Sequence, residues 1–427
     1  MTSSESHPAP PPVLITDVRV FDGVHDELSD RRAVYVADGR IAAEGESPAP
    51  EARVVDGGGR VLMPGLSDAH VHLFMAGSTD EEILHGPAGT AHYNALTEAG
   101  HMLLRGFTTV RDMGGPVTAL RRTLDAGRFP GPRIYASEGM VSQTSGHGDF
   151  SEIHDAAREF GGPESRIEAT GCVRTADGRD RVLAAVREQL KRGASQIKVY
   201  AGGGVCSKYD PLDVQQFTLD ELRAAVEAAA DWGTYVAAHV YNSAGIRRAV
   251  EAGIRSIEHG HLASEQTMAM LARKGVWLST QPWLESDHHY PDPERTEKNR
   301  QVCEGAKRTY AWARTYGVKL AFGTDLFLSP SEAHRQSEMF VRLSSHFGFS
   351  PVEALRMATS GNAELFRLCG GRDPYKGARL GVIEPGAWAD LLLVSGDPTQ
   401  DLGLLADPGK NLALIMKGGR IHKNQLD

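Results

Sequence analysis

Short apolar runs alternate with helical patterns through the middle of the chain, and this alternation restricts the fold more than any other feature. The runs are LMPGLSDAHVHL (62–73), GFTTVRDMGG (106–115), RIYASEGMVS (133–142), ASQIKVYAGGGV (194–205), TYVAAHVYN (234–242), RSIEHGHL (255–262), VWLSTQPW (276–283) and KLAFGTDL (319–326). Helical signals lie between most of them. Val182, Leu183, Val186 and Leu190 share one helix face, which Gly193 ends. Thr218 with Glu221, and Ser350 with Pro351 and Glu353, read as N-terminal caps. Eight strands alternating with helices predict a (β/α)₈ barrel. A doubly wound sheet needs a glycine fingerprint or a phosphate loop. The run Gly202-Gly203-Gly204 lacks the GK[ST] ending and reads as a tight loop after a strand.

The two ends have a different texture. VLITDVRVFDG, AVYVADGRIAAEG and ARVVDGGGRVLMPG precede the barrel, with Asp38-Gly39 as a hairpin turn. ADLLLVSGD (389–397) and LALIMKGGRIHK (412–423) follow it, the latter turning at Gly418-Gly419. One small β domain built from both ends is expected. The opening MTSSESHPAPPP has neither a basic n-region nor an apolar h-region, and reads as a flexible tail over residues 1–12.

The net charge of −9, with no run of five basic residues, argues against nucleic-acid binding. No apolar stretch reaches 18 residues, so no membrane-spanning helix is expected. Cys172, Cys206, Cys303 and Cys369 are scattered, as reduced thiols of a cytoplasmic protein would be.

Catalytic groups of a barrel gather at the C-terminal ends of its strands. Here those ends carry His70 and His72, Lys198, His239, His259 and Asp325. Residues two apart on a strand face one side, so His70 and His72 can grip one ion, with Asp325 adding an oxygen. His239 and His259, from adjacent strands, can grip a second. A buried lysine is costly unless paired or neutral. Neutral Lys198 can add carbon dioxide and bridge two metals as a carbamate. Taken singly, each feature also has a plain reading: a loop-capping histidine pair, a salt-bridged lysine, a Thr-Asp turn. Six such residues on the expected strands, in order, favour the metal reading.

The segments MPGLSDAHVHL, GASQIKVYAGGGV, AAHVYN, RSIEHGHL, FGTD and GVIEPGAWADLLLV together resemble the amidohydrolase superfamily. The likeness runs from residue 13 to 423 and is strongest to its imidazolonepropionase-like group of metal-dependent Xaa-Pro and Xaa-Arg/Lys dipeptidases and ochratoxin-hydrolysing amidases. The resemblance implies a distorted barrel over residues 64–375 and a composite β-sandwich of residues 13–63 and 376–427. It implies two Zn²⁺ ions, one on His70, His72 and Asp325 and one on His239 and His259, bridged by carboxylated Lys198. It also implies a homo-oligomer of even number, up to an octamer. Many relatives carry HAHG where this chain has HVYN, which places Tyr241 at the second histidine.

The chemistry expected is attack of a metal-bridging hydroxide on an amide carbonyl, with Asp325 as general base and then acid. The substrate is expected to be a small amide, an N-acyl amino acid or dipeptide with proline, a basic or an aromatic residue as the leaving group. By likeness to the dipeptidases, His147 in TSGHGD and Tyr200 hold the substrate carbonyl or α-carboxylate. Asp68 and His261 are expected to support ligand histidines from behind. The loop QPWLESDHHYPD (281–292) offers Trp283, His288, His289 and Tyr290 as a pocket wall, and Arg335 reads as a surface ion pair. A cyclic-amide or lactam hydrolase is the alternative enzyme, and a catalytically inactive scaffold the alternative outside enzymes.

Overall fold

The computed structural model describes residues 10–207 and 209–426. Most of the expected tail lies outside these residues. Its last residue is already tied to the sheet, since the Pro12 carbonyl accepts a hydrogen bond from the Arg53 N–H (2.9 Å).

Five strands open the chain: β1 (Val13–Val20), β2 (Arg32–Ala37), β3 (Arg40–Ile41), β4 (Arg53–Asp56) and β5 (Val61–Pro64). The β2–β3 turn is the expected hairpin, with Asp38 and Gly39 both left-handed (φ 49° and 74°). Ten parallel strands follow: β6 (Leu66–Val71), β7 (Phe107–Asp112), β8 (Arg133–Ala136), β9 (Met140–Ser142), β10 (Val173–Thr175), β11 (Ile197–Tyr200), β12 (Val236–Asn242), β13 (Ser256–Leu262), β14 (Trp277–Thr280) and β15 (Leu320–Phe322). Three more close the chain: β16 (Leu391–Val394), β17 (Leu412–Lys417) and β18 (Arg420–Asn424).

The parallel strands form two ladders, β6-β7-β8 and β10-β9-β11-β12-β13-β14-β15. The expected closed ring of eight strands is therefore not completed by strand pairing. The third apolar run is split into β8 and β9, because Glu138 between them takes a left-handed backbone (φ 60°) that no regular strand allows. Strand β10 was not legible as a strand; it is three residues of mixed polarity on the edge of β9. At the other gap β15 ends at Phe322. The Asp325 N–H then reaches the His70 carbonyl (2.7 Å), tying the end of β15 to β6.

The helices cover the outer face of the parallel strands. Val182, Val186 and Leu190 of the helix Arg179–Arg192 are buried in one apolar cluster with Val199, Ala238, Ile257 and Leu278. Gly193 ends that helix in the left-handed conformation (φ 113°). The expected capping boxes are formed by Thr218 with Glu221 and by Ser350 with Glu353.

Strands from both ends join in one eight-stranded sheet, in the order β18-β17-β16-β5-β1-β2-β3 with β4 also on β1. Strand β1 is its pivot. Val13 to Thr16 pair with β4, while Arg19 and Val20 pair with β5. The change of partner falls at Asp17, whose positive φ (50°) breaks the register. Strand β5 runs through Gly65 directly into β6, so the terminal sheet is joined to the strand that carries His70 and His72.

Candidate metal centre and pocket

Four histidines and one aspartate meet where β6, β12 and β13 and the segment after β15 end. The ring centroids of His70 lie 5.3 Å from His72 and 5.1 Å from His259, and His239 lies 4.4 Å from His259. Each ring has one nitrogen held by a protein acceptor. His70 Nδ1 donates to Glu258 (2.9 Å), His72 Nδ1 to the Gly114 carbonyl (3.1 Å), His239 Nε2 to the Gly203 carbonyl (3.1 Å) and His259 Nδ1 to Gln281 Oε1 (2.8 Å). That fixes the tautomers and leaves each ring one lone pair for a ligand.

The lone pairs of His70 and His72 converge. Their Nε2 atoms stand 3.4 and 3.1 Å from Asp325 Oδ1. Yet that oxygen is buried and receives no properly aligned hydrogen bond from the described residues. An orphaned carboxylate oxygen facing two imidazole lone pairs is what a cation would satisfy. Ligand atoms of His70, His72 and Asp325 all lie within 4.8 Å of one another, and among the described residues no other His, Cys, Asp or Glu group of three or more does so. These residues fit a metal ion.

Electrostatics support the same reading. Burial pushes His70 down to about 4, helped by Lys198. Burial likewise holds His239 and His259 well below the usual imidazole range, with His147 and His70 respectively adding to it. All three rings are therefore in the neutral, ligand-competent form at neutral pH. Burial opposes ionisation of Asp325, but His70, His72 and Lys198 hold its carboxyl well below the usual range. Lys198 is only 1% exposed, and its amine lies 3.3 Å from His70 Nε2 with no carboxylate in ion-pair contact among the described residues. Burial brings it down to about 8.

The other expected residues are placed as follows. His147 is buried, not a solvent-facing loop residue, and stacks on His239 (4.4 Å, 14°). The Tyr200 ring lies beside His147 and His239, with its hydroxyl on the Met140 sulfur (2.8 Å), a weak acceptor. Asp68 does not touch a ligand imidazole. It accepts from the backbone N–H groups of His70 (3.0 Å) and Thr324 (3.1 Å), and so clamps the strand bearing His70 to the segment bearing Asp325. His261 stacks on Trp283 (5.1 Å, 3°) and bonds the Gln281 carbonyl (3.0 Å). Tyr241 is buried between His239 and His259. Trp283, His288 and Tyr290 of the long loop line the pocket, whereas His289 is exposed and does not line it. Arg335 pairs with Asp287 and Glu332 within the protein, and Arg342 shares Asp287.

Glu258 and Arg111 were missed by sequence reasoning. Glu258 holds His70 on one side and Arg111 (2.8 Å) on the other, all fully buried. Arg111 also donates to the Tyr235 hydroxyl (3.0 Å) and the Ala69 carbonyl (2.6 Å). The alternation of β13 contains the reason. Ile257 packs outward on the helices, so Glu258 is the regular inward residue and His259 belongs on the outer face. His259 reaches the centre because its backbone is left-handed (φ 76°), as is that of Gly260 (φ 66°). The pair Glu-His before a glycine was the available signal.

The amidohydrolase family model matches residues 61–421, most of the chain. The chain belongs to the amidohydrolase family. As an amidohydrolase it is a hydrolytic enzyme that acts on amide bonds. The ochratoxinase of Aspergillus niger is 32% identical over 378 residues, which cover 85% of this amidohydrolase and 76% of that enzyme. A crystal structure of a prolidase complexed with N-methylphosphonate-L-proline is 32% identical, with a TM-score of 0.87 over 97% of this chain and 100% of that one. A Xaa-Pro dipeptidase structure with bound methionine is 27% identical, with a TM-score of 0.80 over 97% of this chain and 100% of that one.

Proposed function

We propose that this pocket is a two-zinc site that hydrolyses the amide bond of N-acyl amino acids or dipeptides bearing bulky apolar or aromatic groups. One observation carries the reading: His70 and His72 aim their free nitrogens at an Asp325 oxygen with no aligned hydrogen bond. In this reading His70, His72 and Asp325 hold one ion and His239 and His259 the other. Lys198, once carboxylated by carbon dioxide, would supply anionic oxygens to hold both. Its burial beside His70, without a carboxylate in ion-pair contact among the described residues, favours the neutral amine that such addition needs. When bound, the ions polarise the amide carbonyl and acidify a water.

The chain's own groups do the rest. Asp325 takes a proton from the attacking water and returns it to the leaving amine. The Tyr200 hydroxyl, held only by a thioether, is free to donate to the substrate carbonyl or carboxylate, and His147 stands beside it. Met75, Met140, Ile167, Trp283, Tyr290 and Phe327 give the pocket apolar and aromatic walls. Among the described lining residues Asp325 is the only carboxylate, so a lysine or arginine leaving group finds no counter-charge. An aromatic amide of the ochratoxin kind falls in the favoured class, in keeping with the similarity to ochratoxinase.

The two parallel ladders are read as one distorted (β/α)₈ barrel over residues 64–375, and the sheet of both ends as a composite sandwich of residues 13–63 and 376–427. The tie from Asp325 to His70 across the gap supports the first, and the pivot at β1 the second.

The test is a metal count and one substrate panel. Enzyme reconstituted with zinc and bicarbonate should carry two ions and cleave N-acyl-phenylalanine and ochratoxin A faster than Xaa-Arg dipeptides. Asp325→Asn should lower kcat by about 10²-fold or more. Cleavage of simple lactams alone, or none of any amide, overturns the reading.

A further inference from the structure

Of the four cysteines, Cys172, Cys303 and Cys369 are buried, and only Cys206 is partly exposed. Cys206 is also the only cysteine among the residues that line the pocket, which it shares with His70, Lys198 and Asp325. The amide chemistry gives it no task.

Its surroundings are those of a nucleophile. Cys206 Sγ stands 3.5 Å from His147 Nε2. The other nitrogen of that ring, Nδ1, lies 3.1 Å from Asp210 Oδ2 and 2.8 Å from Ser207 Oγ. A carboxylate only accepts, so Nδ1 carries a hydrogen and points at Asp210, which leaves Nε2 as the nitrogen that faces the sulfur. The ring cannot turn away. It is stacked on His239, and it fills the space where a side chain at position 204 would be: a Cβ on Gly204 would fall 1.8 Å from the ring. Asp210 is itself fixed. It is 2% exposed, and its Oδ2 also accepts from the Gly204 N–H (2.9 Å). Its other oxygen, Oδ1, is buried and has no hydrogen-bond partner among the described residues. Thiol, imidazole and carboxylate thus stand in the order nucleophile, base and orienting acid.

We propose that Cys206 is a covalent modification site for soft carbon electrophiles, α-halocarbonyl compounds being the type case, and that its adduct closes the pocket. In the step, the sulfur forms a bond to the carbon that bears the halogen. The carbon–halogen bond breaks and halide departs. The thiol proton passes to His147 Nε2, so no oxidant or further reactant is needed. The arrangement requires only that His147 Nε2 faces the sulfur. The thioether formed projects into the same cavity as Asp325. That consequence for turnover rests on the proposed amide hydrolase site; the reaction at sulfur does not.

Iodoacetamide is the probe, used on the folded, metal-loaded enzyme. Peptide mass mapping follows each cysteine with time, and amide hydrolysis is sampled in parallel. Cys206 should be carbamidomethylated about tenfold or more faster than free cysteine in the same buffer, with the three buried thiols unlabelled. Hydrolysis should fall with the rate constant of the label. Cys206→Ser should keep its own starting activity through the treatment. Asp210→Asn should slow labelling of Cys206, a change that mere exposure of the thiol does not predict. Labelling at or below the rate of free cysteine overturns the nucleophile. Full labelling with undiminished hydrolysis overturns the closure of the pocket. An enzyme that hydrolyses no amide in any state defeats the amidase reading alone, since the labelling rate is read by mass.

Discussion

At the scale of single residues, the centre depends on backbone that ordinary strands do not adopt. His259 (φ 76°) and Asp325 (φ 55°) are both left-handed, and both bring a side chain to the same few ångströms. Buried partners hold the neighbouring His70 in place, and Glu258 grips it together with Arg111. Glu258→Gln should cost about 3 kcal/mol or more, because Arg111 then keeps its buried charge without a counter-charge. It should also weaken zinc binding about tenfold or more, since His70 loses the negative charge of the acceptor that orients it. Thermal melting and zinc titration of the variant check both, and an unchanged midpoint would remove Glu258 from this role. His70, His72, Lys198, His239, His259 and Asp325 were legible as a set because they lie on the first, fourth, fifth, sixth and eighth apolar runs. Glu258 was not, because alternation along a strand gives one face to Glu258 and the other to His259. Only the dihedral angle, which no side-chain pattern encodes, lets both face inward.

At the scale of elements, the apolar runs were legible as strands, but the breaks between ladders were not. Local patterning carries no term for the left-handed residue at Glu138, nor for how closely β15 approaches β6. That approach depends on Gly323. A Cβ there would lie 2.6 Å from the Cβ of His70 and 2.9 Å from its backbone nitrogen. Gly323→Ala should therefore push β15 away from β6 and loosen the hydrogen bond from Asp325 N–H to the His70 carbonyl. The expected cost is about 1–3 kcal/mol, with zinc lost at a chelator concentration that leaves the wild type loaded. Melting curves with and without chelator measure both. A variant as stable and as tightly loaded as the wild type would show that the gap closes without this contact. The capping boxes at Thr218 and Ser350 were readable for the opposite reason, since each is set by residues three apart.

For the whole molecule, β texture at both ends was plain in the sequence, but the strand order was not, because pairing partners lie hundreds of residues apart. The terminal sheet also carries an acid-sensitive group, outside the cluster of His70, His72 and Asp325. Burial pushes His422 on β18 down to about 4, with Lys417 and Arg420 adding to it, and its Nε2 has no hydrogen-bond partner among the described residues. The folded state thus refuses a proton that the unfolded chain accepts near 6.5, so this contribution to stability is complete above 6.5 and is lost as pH falls towards 4. The loss amounts to no more than about 3 kcal/mol. His422→Leu should melt at a temperature that falls less between pH 7 and pH 4.5 than that of the wild type; parallel acid limbs would argue against it. The sheet has a consequence for synthesis as well. Strand β5 is made early, yet its neighbour β16 is made near the other end of the chain. A nascent chain on the ribosome must carry that open strand edge for on the order of tens of seconds, so the time of greatest risk for this enzyme is its own translation, when a chaperone that shields β edges would matter most.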